Sequence, residues 1–255
     1  MTTAAGGLLG SGLPAMAGRQ TRAKSVIHLF MSGGMSHLDT FDPKPGLPGS
    51  VPSIPTNVPG IFISSNLPRL ADRMDSITLF RSMSHAAKSH QAARMATLDF
   101  PAEWSFAAPS QDGTNDFMRD IVAARRRIEN RARLVCLELE GWDTHTDNAG
   151  RTAIQSSILD TALADLLDEL SFRNLLSETL VALSTEFGRS ARLNGFGGRN
   201  HHPHAYTCLM AGGGTEGGRV IGATTDDGME AIGNTTSPEQ FNAIIASRLG
   251  SDSLA

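Results

Sequence analysis

Three things are scarce in this chain. It holds two cysteines among 255 residues. Both, Cys136 and Cys208, sit in apolar strand-like runs, where a buried reduced thiol is expected rather than a disulfide or a thiolate site. They leave the cellular compartment open. There is no long basic run: 22 Lys and Arg against 26 Asp and Glu give a net charge of −4, so the electrostatic footprint of a nucleic-acid binder is missing and nucleic acid is excluded as a partner. No segment approaches the ~18 consecutive apolar residues of a spanning helix, which implies a soluble or peripheral mature protein without a transmembrane helix. What is present is a hydrophobic share of 40% on a chain long enough for one large α/β domain with a substantial core.

The N-terminal stretch "TTAAGGLLGSGLPAMAG" is small and apolar and ends in Ala15-Met16-Ala17, the A-x-A pattern cut by signal peptidases after Ala17. No Lys or Arg precedes it, whereas a signal needs a positive n-region. Either the start lies upstream or residues 1–23 are a disordered tail. Export to the periplasm or beyond is the expectation.

Short β-branched and aromatic runs mark strands at 25–31 (SVIHLFM), 77–83 (ITLFRSM), 133–140 (RLVCLELE), 179–185 (TLVALST) and 206–212 (YTCLMAG). Apolar spacing near 3.6 residues marks helices at 89–98, 115–130, 152–170 and 238–250, the last closed by Gly250. Seven prolines between Pro43 and Pro68 forbid regular helix or central strand there and predict an ordered loop or excursion. Strands alternating with helices imply a mostly parallel central sheet with helices on both faces. The glycine-rich "AGGGTEGGRVIG" (211–222) lacks the Gly-Lys-Ser/Thr ending of a phosphate-binding loop and reads as tight turns.

Open α/β sheets bind ligands outside the carboxyl ends of their strands, so the residues just after each strand are the candidates. The first strand is followed by Ser36, His37, Asp39 and Asp42, the second by Ser84, His85, Ser89 and His90, and the third by Asp143, His145 and Asp147. The fourth delivers Glu186 and Arg189, and the next loop holds His201, His202 and His204. Seven of the eight histidines fall in these segments; His28 alone lies inside a strand. Carboxylates mixed with imidazoles, without cysteine, suit zinc or manganese, with calcium or magnesium favoured only where carboxylates dominate. Blander readings stand beside these. Asp143 could cap a turn, His145 could meet a backbone carbonyl, and Asp39 and Asp42 could form Asx-turns. Glu186 could be a helix N-terminal charge paired with Arg189, and His201 and His202 a polar surface loop.

The motifs "HLFMSGGMSHLDTFDPKPG", "RSMSH", "GWDTHTDN", "STEFGRSARLNGFGGRNHHPH" and "MAGGGTEGGRVIG" occur in the order of the bacterial family catalogued as domain of unknown function 1501, and together they cover most of residues 24–250. The chain resembles that family, whose members are usually exported, often by a twin-arginine signal, and resemble the alkaline phosphatase and sulfatase superfamily. The resemblance implies a single alkaline-phosphatase-like domain over 24–255, abbreviated around 99–130. It also implies a modified metal site. Where sulfatases carry a nucleophile in a Cys-x-Pro-Ser-Arg pattern, "SHQAARMATL" sets His90, keeps Arg94 and leaves Ser89 adjacent. The paired Asp-His ligand appears as Glu186-Phe187, and Ser32-Gly33-Gly34 replaces the first-strand aspartate, leaving Asp39 as a displaced candidate. Asp143 and His145 stand for the Asp-x-x-x-His pair at altered spacing, and His201 or His202 for the late histidine.

The expectation is therefore a metal-dependent hydrolase of phosphate or sulfate esters. Its ligands are drawn from Asp39, Asp143, His145, Glu186, His201 and His202, with Arg189 on the anionic group and Ser89 or His90 as nucleophile or proton carrier. The substrate class is a small anionic ester or a glycan-linked one. The alternative is an exported binding protein, for a glycan or cell-surface partner, that has kept the fold and lost the nucleophile.

Overall fold

A computed structural model describes residues 22–100 and 117–250. The signal-like segment and its Ala15-Met16-Ala17 lie outside the described residues, as does 101–116 within the stretch expected to be abbreviated. The elements in chain order are β1 (Ser25–Met31), β2 (Ser53–Pro55), β3 (Phe62–Ser64), α1 (Pro68–Ala71), β4 (Ile77–Met83), α2 (His90–Thr97), α3 (Phe117–Glu129), β5 (Leu134–Leu139) and α4 (Asn148–Phe172). They continue with β6 (Thr179–Thr185), β7 (Gly188–Leu193), β8 (Arg199–His202), β9 (Tyr206–Gly212), β10 (Arg219–Ile221), β11 (Ala223–Thr224), β12 (Ala231–Ile232) and α5 (Pro238–Arg248).

Six strands form the central sheet in the order β10-β4-β9-β6-β1-β5. β1 lies between β5 and β6, parallel to both, and all seven of its residues are buried, as its largely apolar run implies. β10 is parallel to β4. β9 runs antiparallel to both its neighbours, so the sheet is mostly parallel. The connection explains this exception. A parallel return needs a crossover long enough to traverse the sheet face, whereas the chain leaving β6 turns at once into the β7–β8 hairpin and re-enters β9 from the edge it has just left. The carboxyl ends of β1, β4, β5 and β6 and the amino end of β9 consequently share one rim.

Side chains alternate across each strand. Ile27, Leu29 and Met31 of β1 join α1, α3 and α4 in one apolar layer. Val26 joins Phe241 and Ile245 of α5 and Leu249 just after it in the other, with α2 packed on α5. α5 starts with a Ser237–Gln240 capping box and Pro238 in its first turn. α4 is capped by Asp147, whose side chain accepts from Gly150 N–H. The proline-rich stretch carries the small β2–β3 hairpin, outside the main sheet. The glycines at 212–218 turn at the rim opposite the strand ends that carry the histidines: Gly212, Gly213 and Gly214 all have positive φ, and Gly213 N–H bonds to Leu176 C=O ahead of β6.

Two buried polar groups in this frame generate measurable consequences. His28 is fully buried on the α5 side of the sheet. Its Nε2 lies 2.8 Å from Ser184 Oγ, and burial pushes its pKa down to about 3. The unfolded chain therefore takes up this proton first as pH falls through ~6.5, and stability that is full above that pH drops by about 1.4 kcal/mol per pH unit down to the folded value. His28→Gln is expected to reduce the loss of unfolding free energy between pH 7 and pH 5 by about 2 kcal/mol in urea titrations; an unchanged slope contradicts this.

The second group is Asp39, fully buried with Arg199. Arg199 Nε and Nη2 donate to its two carboxylate oxygens at 2.9 and 3.2 Å, while Ser36 Oγ (2.5 Å) and Asn148 Nδ2 (3.0 Å) also donate. Arg199 further donates to Gly49, Ser190 and Ala191 carbonyls, so the pair ties the loop after β1 to the β7–β8 hairpin. Removing one partner leaves a buried charge uncompensated. Asp39→Ala is expected to lower the unfolding free energy by about 3–5 kcal/mol, and Arg199→Met added to it should cost less than the sum of the single changes. A loss below about 1 kcal/mol in the single variant contradicts a structural role.

Candidate metal centre

Four chain segments meet at the common rim. β5 ends at Leu139, and Gly141, with φ +100°, turns the chain so that Trp142 plugs the core while Asp143 projects beyond it. The loop after β1 closes against this turn at Gly33, where φ is +110° and an added Cβ would lie 2.4 Å from Asp143 N. Only glycine tolerates both conditions. At the far side Gly198 of the hairpin meets His145 so closely that a Cβ would sit 2.0 Å from the His145 carbonyl. Arg199 N–H bonds to Thr144 C=O at 2.9 Å and Asn194 Nδ2 to His145 C=O at 2.9 Å, fixing the hairpin to the 143–147 turn.

On this frame His90, Asp143 and His201 place one ligand atom each within 4.8 Å of one another. His201 Nδ1 lies 3.2 Å from the carbonyl of Lys88. A carbonyl only accepts, so Nδ1 carries the proton and Nε2 presents a lone pair. Burial pushes the His201 pKa below the usual histidine value, which keeps the ring neutral at pH 7. His90 Nδ1 lies 2.9 Å from Glu186 Oε2, and its other ring nitrogen, Nε2, turns to the cluster, 3.6 Å from Asp143 Oδ2. His201 Nε2 is 3.4 Å from Asp143 Oδ1. His145 Nε2 closes the group, 2.9 Å from His201 Nε2 and 3.2 Å from Asp143 Oδ1.

Acceptor atoms facing one another repel unless a proton or cation lies between them. Ligand atoms at ~2.0–2.1 Å around a tetrahedral ion stand roughly 3.3 Å apart; His201 Nε2 at 3.4 Å from Asp143 Oδ1 and His90 Nε2 at 3.6 Å from Oδ2 come near that spacing. The donor set of imidazoles and one carboxylate is the chemistry of zinc or manganese sites. The outer contacts also match: Glu186 and the Lys88 carbonyl hold the far nitrogens of two rings, as second partners of metal-bound histidines do. Glu186 is itself buried and accepts from Gly33 N–H at 2.8 Å.

Asp143 is held by Arg189. The guanidinium is fully buried, with Nη2 donating to Asp143 Oδ1 at 2.7 Å. It also donates to the carbonyls of Gly34 (2.8 Å), Arg199 (3.1 Å), Trp142 (3.2 Å) and Gly33. Partial burial pushes the Asp143 carboxyl up, but the hydrogen bond and charge of Arg189 outweigh it and hold the group below the usual aspartate range. It is an anion at neutral pH.

The sequence-derived candidates thus divide. The structure brings together His90, Asp143, His145, Glu186 and His201. His202 follows His201 on β8 and so faces the other way, where its Nε2 meets the Met229 carbonyl. Asp39 lies in the ion pair with Arg199 and makes no Asx-turn. Ser89 caps α2, its Oγ accepting from Ala92 N–H at 3.4 Å. Arg189 turns inward toward Asp143 and backbone carbonyls, not outward toward a ligand, and it pairs with Asp143 rather than Glu186. No helix follows Glu186; β7 does. Sequence reasoning passed over the Lys88 carbonyl, Gly198, Asn194 and Arg199. The paired glycines at 33–34 and 197–198, beside strand ends, were the available signal for close loop contact.

The family model described as "Protein of unknown function (DUF1501)" matches residues 23–99 and 101–254. No curated protein matches. Among solved structures, Ps i-CgsB superposes with a TM-score of 0.50 at 9% identity, covering 91% of this chain and 72% of that one. The lipoteichoic acid synthase LtaP from Listeria monocytogenes gives 0.50 at 8% identity, covering 91% and 73%. A protein in the alkaline phosphatase superfamily from Vibrio parahaemolyticus gives 0.48 at 11%, covering 89% and 67%. At such identities the likeness is one of fold alone. The chain belongs to the DUF1501 family and has an alkaline-phosphatase-like α/β fold.

Proposed function

We propose that this protein is a metal-dependent hydrolase of phosphate or sulfate esters, with a divalent ion, zinc or manganese, held by His90, Asp143, His201 and His145. The observation that carries this reading is the convergence of one possible ligand atom each from His90, Asp143 and His201 within 4.8 Å, each side chain fixed in orientation by a partner of its own. A bound ion of this kind lowers the pKa of its water to ~7 and polarises an ester oxygen. The chain's residues do the rest. Glu186 holds the His90 Nδ1 proton, Lys88 C=O holds the His201 Nδ1 proton, and Arg189 keeps Asp143 ionised and aimed at the cluster. Ser89 Oγ serves the helix cap and His90 Nε2 turns into the cluster, so water is the attacking group in this reading. No helix among the described residues is long and apolar enough to cross a membrane, and export remains part of the proposal.

The test is metal analysis on protein stripped with chelator and reloaded with zinc or manganese, followed by turnover of aryl phosphate and aryl sulfate esters. The wild type should bind one ion per chain, and His90→Ala, Asp143→Asn and His201→Ala should each lose it. Glu186→Gln should keep the ion with affinity reduced about 10–100-fold. Stoichiometric metal retained by Asp143→Asn and His201→Ala contradicts the assignment. Metal bound by the wild type with no turnover of either ester class favours an exported binding protein on the same fold.

A further inference from the structure

An open cleft of about 390 Å³ adjoins the cluster, lined by Lys88, Asn200, His204 and three neighbours that include His145 and His201, together with Pro203. Among the described residues no carboxylate lines it, although the chain as a whole is acidic, at −4. The guanidinium nearest the cluster cannot serve a ligand here, since Arg189 is fully buried and directed at carbonyls and Asp143. Lys88 differs. It is exposed, and its ammonium has no carboxylate partner among the described residues. Its own backbone is tied to the cluster, because its carbonyl accepts from His201 Nδ1. The stem of the side chain thus starts from a fixed point at the wall of the cleft, while the charge is uncommitted.

We propose that this cleft receives the charged head of the substrate, a sulfate or phosphate oxyanion, and that Lys88 is the residue that selects for negative charge there. The inference rests on the hydrolase reading above and names the group next to the proposed ion. An oxyanion requires donors and positive charge without a competing carboxylate. The cleft meets that requirement with one mobile ammonium, the Asn200 amide and imidazole edges. A neutral or cationic ester gains nothing from such a lining and loses its hydration on entering.

The probes are inorganic phosphate and inorganic sulfate, titrated calorimetrically in separate arms into metal-loaded protein and into chelator-treated protein. The expected result is Lys88-dependent binding. In the loaded form Lys88→Gln weakens the anions about tenfold or more, as loss of a charged hydrogen bond does. Lys88→Arg restores most of that loss, and metal content is unchanged in both variants. The tighter of the two anions identifies the head group. Equal affinity in wild type and Lys88→Gln overturns the proposal, as does absence of anion binding to the wild type in both forms, or loss of the ion together with the anion in Lys88→Gln. If the wild type binds no metal, the hydrolase reading fails by itself. The chelator-treated arm then decides: Lys88-dependent anion binding upholds the cleft, and Lys88-independent binding overturns it.

Discussion

One buried guanidinium assembles this rim. Arg189 reaches from β7 to carbonyls at Gly33 and Gly34 beyond β1, at Trp142 beyond β5, and at Arg199 on β8, and it ends on the Asp143 carboxylate. Removing an arginine side chain from water costs several kcal/mol, and burial does push its pKa below the ordinary arginine value, against the opposing hydrogen bond and charge of Asp143. Five fork-shaped donors offset that cost by meeting carbonyls that the strand ends would otherwise leave unpaired. A lysine has neither the planarity nor the donor number to do this. The same contact that joins the loops also orients Asp143, so the fold and the candidate site share one interaction.

The parallel strands supply the rest of the convergence. β1, β5 and β6 run side by side in one direction, so the loops that follow them emerge together and carry Gly33, Asp143 and Glu186 to a common edge. The hairpin adds His201 directly opposite Arg189 in register, and α2 begins at the same edge with His90 in its first turn. Phe187 underlies the group, its ring 4.4 Å from that of His201 and 5.1 Å from that of His90, which limits how far either imidazole can swing. Carboxylates and imidazoles from segments more than a hundred residues apart become neighbours by topology.

Much of this was legible in the residues. The apolar runs at 25–31, 77–83, 179–185 and 206–212 form strands with those bounds, because a buried strand needs an unbroken apolar face on both sides and little else in the chain offers one. The β7–β8 hairpin was not legible. "GRSARL" and "RNHH" are polar and basic, and their strand character comes from pairing with each other and from burial of Arg189 and Arg199, which no hydrophobic period announces. Missing that hairpin also hid the direction of β9. Within the site, the grouping of histidines after strands located the rim, but it could not separate His201 from His202, which only strand alternation divides. Nor could it show that Asp39 faces Arg199, a partner 160 residues away. Long-range ion pairing leaves no local pattern.

The account depends on a cation lying where His90, Asp143 and His201 converge. Anomalous diffraction from crystals of the zinc- or manganese-loaded protein, recorded on both sides of the metal's absorption edge, tests this directly. The account predicts one strong peak about 2.0–2.2 Å from His90 Nε2, His201 Nε2 and an Asp143 oxygen. A peak elsewhere on the rim, or none in crystals of fully loaded protein, contradicts it.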